Sequence, residues 1–311
     1  MIKKIYTNSM SNRILSKVSM TMLLSMVIGC ATPTFYKNPI SEYQLAVNKT
    51  ISTIQPYFVE LNSVETEYQL YSAIKLNQEW GTQHLSTGLD SQQIALRIKS
   101  LQLISDHARL LADIVNSSAP EDIKNAAKAL GNNAQGLADT ISKLNEEGSS
   151  SVPDFGTPLS EIVGFVGKSV IEQKQKEAIE IAVLDANKPI STLMEKLEED
   201  LRTAVNLKKE AFAGIVTVRL DIFNTMRAQT NPEKIPDIIN QIISLRANTD
   251  TIASVDVTAL LREMKSTHSA LVQFVKSDKT PTDISSFAER VDVFASNAKT
   301  IANIIESLSN L

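Results

Sequence analysis

The sequence predicts an all-α protein, an elongated bundle of about seven long antiparallel helices without a sheet. Two observations lead to this prediction: apolar residues recur at three- and four-residue spacing along almost the whole chain, and no stretch convincingly alternates apolar and polar residues. Glycine, which weakens helices, makes up only 10 of the 311 residues. The main interruption, residues 146–158, is short for a linker, so residues 39–311 are expected to form one bundle domain.

The first predicted helix contains an apolar seam of five heptads. Its a and d positions are Ile40, Val47, Ile54, Leu61 and Tyr68, together with Tyr43, Thr50, Tyr57, Val64 and Tyr71. Such a seam is typical of a long helix that packs against other helices at a shallow angle. Pro56 lies inside the seam and is expected to kink or break the helix, because proline lacks a backbone N–H donor.

The second and third predicted helices each carry one apolar stripe. The second helix is expected to begin after Asp90 and Ser91, and its stripe is Ile94, Ile98, Leu101, Ile104, Ala108, Leu111 and Val115. The segment Ser118-Ala-Pro-Glu121 has the pattern of a capping box with proline in the first turn, which predicts the start of the third helix. The stripe of this helix is Ile123, Ala127, Leu130, Ala134, Leu137, Ile141 and Leu144.

Four further helices are predicted after residue 157. Their expected ranges are 157–186, 187–226, 232–277 and 280–308, and each begins at a cap sequence that contains proline. The helix 187–226 would be roughly 60 Å long at about 1.5 Å per residue. The helix 232–277 is expected to break near residues 254–256.

The first 29 residues have the three-part organisation of a secretory signal peptide. Residues 1–17 carry four basic residues and no acidic residue, Val18–Ile28 is mostly apolar, and Gly29 precedes Cys30, the single cysteine of the chain. The apolar run of about eleven residues is shorter than the about 20 residues that a membrane-spanning helix needs. We therefore expect residues 1–29 to be a signal peptide rather than a membrane helix.

The sequence Val27-Ile28-Gly29-Cys30 resembles the lipobox of bacterial lipoproteins. In that family the cysteine thiol receives a diacylglycerol, the peptide is cut before the cysteine, and the new amine is usually acylated. The resemblance implies that Cys30 is the lipidation site and that residues 30–38 form a lipidated cysteine and a short tether. Two or more acyl chains hold a protein firmly on a membrane.

The resemblance also implies a location in the cell envelope. In Gram-negative members an aspartate after the cysteine favours retention in the inner membrane, whereas this chain has Ala31. We therefore expect the periplasmic face of the outer membrane, or the cell surface if the source has a single membrane. Two stretches, "SAPEDIKNAAKALGNNAQGLADTI" and "ALLREMKSTHSALVQFVKSDKTPTDI", are similar to a group of uncharacterised proteobacterial lipoproteins, a resemblance that implies no activity.

Charge and cysteine content argue against several classes of function. The chain has 31 basic and 35 acidic residues, and loss of the four basic residues of the signal peptide leaves 27 and 35, a net charge of −8. An acidic chain is a poor partner for nucleic acid. It is also unlikely to lie flat on anionic lipid headgroups, so contact with the membrane is expected through the lipid. With no thiol after Cys30, a disulfide, a cysteine-ligated metal and a thiol nucleophile are all excluded from the domain.

Metal-binding patterns are absent from the sequence. A di-iron helical bundle needs a glutamate three residues before a histidine, twice, but these positions hold Gly81, Ile104 and Lys265. The zinc protease motif HExxH does not occur. We therefore expect no metal and no cofactor, and surface or helix-end positions for the three histidines, His84, His107 and His268.

Fragments of two catalytic motifs occur and are not expected to be functional. Residues 164–169, GFVGKS, end like a P-loop, but the position of its first glycine holds Ile162 and no strand precedes it. We expect these small residues to let a neighbouring helix approach. Ser72–Lys75 and Ser296–Lys299 match SxxK, yet the companion KTG motif is missing.

Charged residues provide the remaining candidates for recognition. Glu172–Lys176 and Glu198–Arg202 have i,i+4 spacing and are expected to be pairs on a solvated helix face, each worth a few tenths of a kcal/mol. Recognition of a partner by such faces is compatible with the sequence.

Three functions follow from these observations, and the first is favoured. The chain is expected to be a lipid-anchored, non-enzymatic envelope protein that acts by contact with an envelope protein partner, as a scaffold, an adaptor or an inhibitor. The second is a membrane-active bundle that resembles α-helical pore-forming toxins and hides the apolar segment Leu159–Ile171 between its helices. The third is an envelope hydrolase with a non-standard site.

Overall fold

The computed structural model describes residues 34–82, 89–117, 119–146, 155–169 and 175–309. These residues form nine α-helices and contain no strand, so the prediction of an all-α fold is confirmed. The helices are α1 (Lys37–Lys75), α2 (Ser91–Asn116), α3 (Pro120–Glu146), α4 (Gly156–Ser169), α5 (Gln175–Leu184), α6 (Asn187–Met226), α7 (Ile235–Ser254), α8 (Thr258–Lys276) and α9 (Pro281–Ser309).

The predicted number of about seven helices is too low because two predicted helices are divided. The helix expected over 232–277 breaks into α7 and α8, as predicted near 254–256, where Val255 has an extended backbone. Asp256 then accepts the backbone N–H of Ala259 at 3.2 Å and so caps α8. The helix expected over 157–186 divides into α4 and α5, and residues 170–174 between them lie outside the described residues.

Side-chain caps define several helix starts as the sequence predicted. At α2 the side chains of Asp90 and Gln93 exchange hydrogen bonds with each other's backbone N–H groups, at 2.8 and 3.1 Å, which is a capping box. Thr280 and Asp283 form the same reciprocal arrangement at α9. The capping serine expected for α3, Ser118, lies outside the described residues.

Helix α1 is the central helix of the bundle. It contacts α2, α6, α8 and α9, and it continues through Pro56 without interruption, so the expected break does not occur. Eight of the ten predicted seam positions are buried, but Tyr68 is 37% exposed and Tyr71 is only partly buried. A second face of α1, with Ile51 and Phe58, is buried as well, since neighbours surround the helix. The seam therefore loses its cover only near its C-terminal end.

The helix directions differ in part from the predicted antiparallel arrangement. Neighbours in the chain such as α1 and α2 are antiparallel, since Ser41 bonds to Asn116 and Asn62 bonds to the backbone of Leu89. In contrast, α1 and α6 are parallel, as three ion pairs show: Glu60 with Lys208, Glu67 with Arg219 and Lys75 with Asp221. Four helices separate α1 from α6, so the chain has returned to its starting end before α6 begins.

The buried apolar residues form one main core and a smaller second cluster. Among the side chains that the structure describes, the main core receives contributions from every helix except α7, including all seven predicted stripe residues of α3. The second cluster consists of Val64, Ala211 and Ile215, with Tyr71, Phe212 and Leu245 packed against it. We call the part of the molecule around this cluster, residues 64–76, 211–230 and 235–249, the distal end.

Candidate functional site

The structure places two predicted surface histidines in the main core, so that prediction is wrong for them. His107 on α2 and His268 on α8 are fully buried, while His84 lies outside the described residues. His268 continues the apolar stripe of α8 because it lies four residues after Met264 and three before Leu271. This spacing by itself indicates a buried position for His268.

The two buried imidazoles lie beside each other at the centre of the bundle. Their ring centroids are 5.7 Å apart in an edge-to-face arrangement, and Tyr43 on α1 contacts Nδ1 of His268 at 3.4 Å. Nε2 of His107 lies 3.1 Å from the carbonyl oxygen of Ala182. Because a carbonyl can only accept, Nε2 of His107 carries the proton and Nδ1 is left as an acceptor.

Burial keeps both imidazoles uncharged at neutral pH. It lowers the pKa of His107 to about 4, although the hydrogen bond to Ala182 acts in the opposite direction. Burial, and then the neighbouring His107, lower the pKa of His268 to about 3. Nδ1 of His107 and Nε2 of His268 are buried and have no hydrogen-bond partner among the described residues. The pair is shielded from solvent, so neither ring can reach a substrate at the protein surface.

The structure does not assemble the other sequence candidates into a catalytic centre. The GFVGKS segment is helical in α4, and a Cβ atom on Gly164 would meet nothing within 4 Å, so the expected close approach of a helix at Gly164 is wrong. Lys75 of the first SxxK match forms an ion pair with Asp221 at 2.7 Å. Within the described ranges, no three His, Cys, Asp or Glu side chains are grouped closely enough to hold a metal ion.

Charged links between helices were not predicted. Arg97 on α2 is buried and makes two hydrogen bonds to Asp200 on α6, Nε to Oδ2 at 2.6 Å and Nη2 to Oδ1 at 2.9 Å. Glu198 pairs with Arg262 on α8 at 3.1 Å, which differs from the pair with Arg202 expected from i,i+4 spacing. These links join α6 to α2 and α8. They do not by themselves indicate a binding or catalytic site.

Apolar side chains are exposed together at the distal end. Its exposed large apolar residues are Tyr68, Ile74, Leu76, Leu220, Met226, Ile239 and Ile243. Helix α7 is apolar on two sides: Ile238, Ile242 and Leu245 face α6 and are partly buried, whereas Ile239 and Ile243 are 39% and 59% exposed. Ile239 and Ile243 are one helical turn apart on the same face of α7, and neighbouring exposed apolar residues mark binding surfaces more often than single ones do.

A cavity of about 250 Å³ opens between α1, α6 and α7 at the distal end. Its lining is mainly apolar and consists of Tyr71, Arg219, Ile222, Phe223, Met226, Thr230, Ile238, Gln241 and Ile242. Arg219 donates from Nη2 to Glu67 at 2.7 Å, and its guanidinium carbon lies 4.4 Å from the centroid of the Tyr71 ring. The single charged residue of this lining is therefore held in place by an acid and an aromatic ring.

Comparisons with family models, with curated proteins and with solved structures each find no match. The functional argument consequently depends on the geometry of this chain. The distal end, with its exposed apolar residues and its cavity, is the candidate functional site.

Proposed function

We propose that this chain is a lipid-anchored, non-enzymatic envelope protein that acts by protein contact through its distal end. In this proposal Cys30 carries the lipid, and the protein lies on the periplasmic face of the outer membrane as a scaffold, an adaptor or an inhibitor. The bundle is elongated and holds its contact surface away from the bilayer.

The positions of the two ends of helix α1 support this proposal. Thr34, the first described residue, lies four positions after Cys30, and Tyr36 packs its ring 5.4 Å from that of Phe274 at the beginning of α1. Helix α1 has 39 residues. At about 1.5 Å per residue its length is about 58 Å. Thr34 and the exposed apolar residues of the distal end therefore lie near opposite ends of one helix, which supports an anchor and a contact surface that are well separated.

The distal end has the composition expected of a surface that a partner covers. Apolar side chains gain about 25 cal/mol for each Å² removed from water, so a partner helix laid along Ile239 and Ile243 would gain binding energy from both. The fold does not need these two side chains, because Ile238, Ile242 and Leu245 provide the packing against α6.

Site-specific cross-linking in intact cells tests this function. A photoreactive amino acid at position 243 is expected to trap one specific envelope protein, and Ile239→Glu is expected to abolish the product. Leu45 on α1 is 60% exposed and lies in the half of α1 nearer the anchor, so a cross-linker at 45 is the matched control. Equal products from positions 243 and 45, or no product from either, would contradict the proposal.

The membrane-active alternative receives no specific support. Leu159 and Ile162 of the suggested hidden segment are fully buried, which both functions predict. No helix in the described portion of the chain combines the length and the apolar character needed to cross a bilayer. Leakage of dye from liposomes on addition of the protein would favour this alternative over the contact function.

A further inference from the structure

We propose that the distal cavity binds a small uncharged amphiphile, a molecule with an apolar body and one hydrogen-bond acceptor oxygen such as an alcohol or an ester. This proposal goes beyond contact with a protein partner and requires neither the lipid on Cys30 nor that partner.

The apolar lining of the cavity indicates that the main part of the ligand is apolar. Five of its residues are aliphatic or aromatic side chains without a polar group: Ile222, Phe223, Met226, Ile238 and Ile242. Ligand sites are typically lined by such side chains with a few polar groups that fix orientation, in cavities of about 300–1,000 Å³. A volume of about 250 Å³ lies just below this range, so the ligand must be small.

Four residues of the lining carry polar groups, namely Tyr71, Arg219, Thr230 and Gln241, and Arg219 is the one that can only donate. Arg219 uses Nη2 for Glu67, while its Nε is shielded from solvent and has no acceptor among the described residues. The hydroxyl of Thr230 already donates to the carbonyl of Met226 at 2.9 Å. A guanidinium has five N–H donors and no acceptor, so a ligand group that meets Arg219 in the cavity, through a nitrogen other than the shielded Nε, must be an acceptor oxygen.

The charges around the cavity favour an uncharged ligand. Glu67 neutralises Arg219, and the neighbouring pair of Lys75 and Asp221 is balanced as well. Arg219 is the one cation of the lining and is already paired, so a carboxylate in the cavity would meet no unpaired cation among the lining residues, and partial burial makes that costly. An alcohol or ester oxygen accepts the same hydrogen bond without this cost.

A larger cleft in the described part of the chain has different chemistry. A cleft of about 490 Å³ lies beside Phe274 and Phe287, near the beginning of α1, but the rest of its lining includes Gln273, Lys276, Ser277, Asp283 and Ser286. Such a polar lining does not favour an apolar ligand, in contrast to the mainly apolar lining of the distal cavity.

Methyl NMR of the full chain with Cys30→Ser, kept free of detergent, tests this proposal. Titration with octan-1-ol is expected to shift the isoleucine methyl signals of Ile222, Ile238 and Ile242 in a saturable way. Signals of Ile54 and Ile104 in the main core should not move. Octane lacks the acceptor and octanoate adds a charge, so each is expected to bind about tenfold more weakly than octan-1-ol.

Two variants test the volume of the cavity and its hydrogen-bond donor separately. Ile242→Phe reduces the free volume and is expected to abolish the shifts at Ile222. Arg219→Lys keeps the positive charge beside Glu67 but loses the forked donors, so it should weaken octan-1-ol about tenfold and leave octane unchanged. Thermal unfolding of each variant confirms that it is folded, and Ile242→Phe keeps the test valid if Arg219→Lys unfolds.

Three results would overturn the inference. The first is the absence of saturable shifts with any of the three compounds, and the second is equal affinity for octane and octan-1-ol. The third is tighter binding of octanoate, which would show that the wall prefers an anion. Cross-linking at position 243 is independent of these results, so failure here leaves the contact function to its own experiment.

Discussion

The imidazole rings of His107 and His268 lie edge to face in the main core, with 5.7 Å between their centroids. Both rings are fully buried, and Tyr43 is the polar side chain that contacts one of them. Two titratable groups are thus held in their uncharged form by the packing of α1, α2 and α8. A proton can be added to either ring only at the cost of a buried charge.

The first prediction is that acid destabilises the fold through these two histidines. An unfolded histidine has a pKa of about 6.5, whereas the folded values are lowered to about 4 and about 3. Between these values the unfolded chain binds more protons, so the free energy of unfolding decreases as the pH falls below about 6.5. The stability is fully present above pH 6.5, and His107 alone accounts for about 3 kcal/mol of the total loss.

Urea unfolding at pH 7.5 and pH 5.0 measures this effect. The double variant His107→Leu/His268→Leu replaces both rings by apolar side chains and is expected to lose clearly less stability between the two pH values. Carboxylates titrate in both proteins, so the difference between them isolates the histidines. Equal losses in the two proteins would refute the assignment.

The second prediction concerns the buried ion pair between Arg97 and Asp200. Asp200→Ala leaves the guanidinium buried without its carboxylate, which is expected to cost about 3–5 kcal/mol in the free energy of unfolding. The matched control is Asp250→Ala, because Asp250 pairs with Arg246 at 3.0 Å on an exposed helix face. That loss should be below about 0.5 kcal/mol. Similar losses for the two variants would show that the Arg97 pair is not effectively buried.

The third prediction concerns the close approach of α1 and α6 at Gly214. A Cβ atom at this position would lie 2.4–3.0 Å from three ring atoms of Tyr68. Gly214→Ala must therefore displace that ring and is expected to destabilise the fold by about 1 kcal/mol, since Tyr68 is partly exposed and can move. Gly136→Ala is the control, because a Cβ there meets nothing within 4 Å.

Chemical denaturation of both glycine variants decides this point. Gly136→Ala should stabilise helix α3 by about 0.5–1 kcal/mol, the usual gain of alanine over glycine inside a helix. Adding Tyr68→Ala to Gly214→Ala should remove the unfavourable contact and recover part of the loss. If Gly214→Ala stabilises the protein as much as Gly136→Ala does, the helices are not as close as the structure indicates.

The fourth prediction is that Cys30 is acylated in the native membrane. Cys30→Ser removes the thiol that would receive the diacylglycerol, and the variant should be poorly retained in the membrane fraction. Intact-mass measurement of the wild-type protein from membranes should give a mature chain that begins at Cys30 and carries lipid. An unmodified Cys30 in that fraction would contradict the lipobox assignment.

The elements that were predicted well depend on contacts between near neighbours in the chain. The stripe from Ile123 to Leu144 on α3 is buried at all seven positions, and the cap formed by Thr280 and Asp283 is present. Both depend on spacings of three and four residues, which a helix brings together by itself. The site was not predictable in this way, because Tyr71, Arg219 and Ile238 come from three helices.

The sequence by itself determined that the described chain is helical, where most helices begin, and which stripe of α3 is buried. Only the tertiary structure decided that α1 runs parallel to α6, that His107 lies beside His268, and that the seam of α1 is uncovered at Tyr68. Helix formation is a local property of apolar spacing and caps. Which stripes face each other, and whether their helices run parallel or antiparallel, depends on contacts between residues more than a hundred positions apart. The apolar periodicity of one helix does not identify the helix that packs against it.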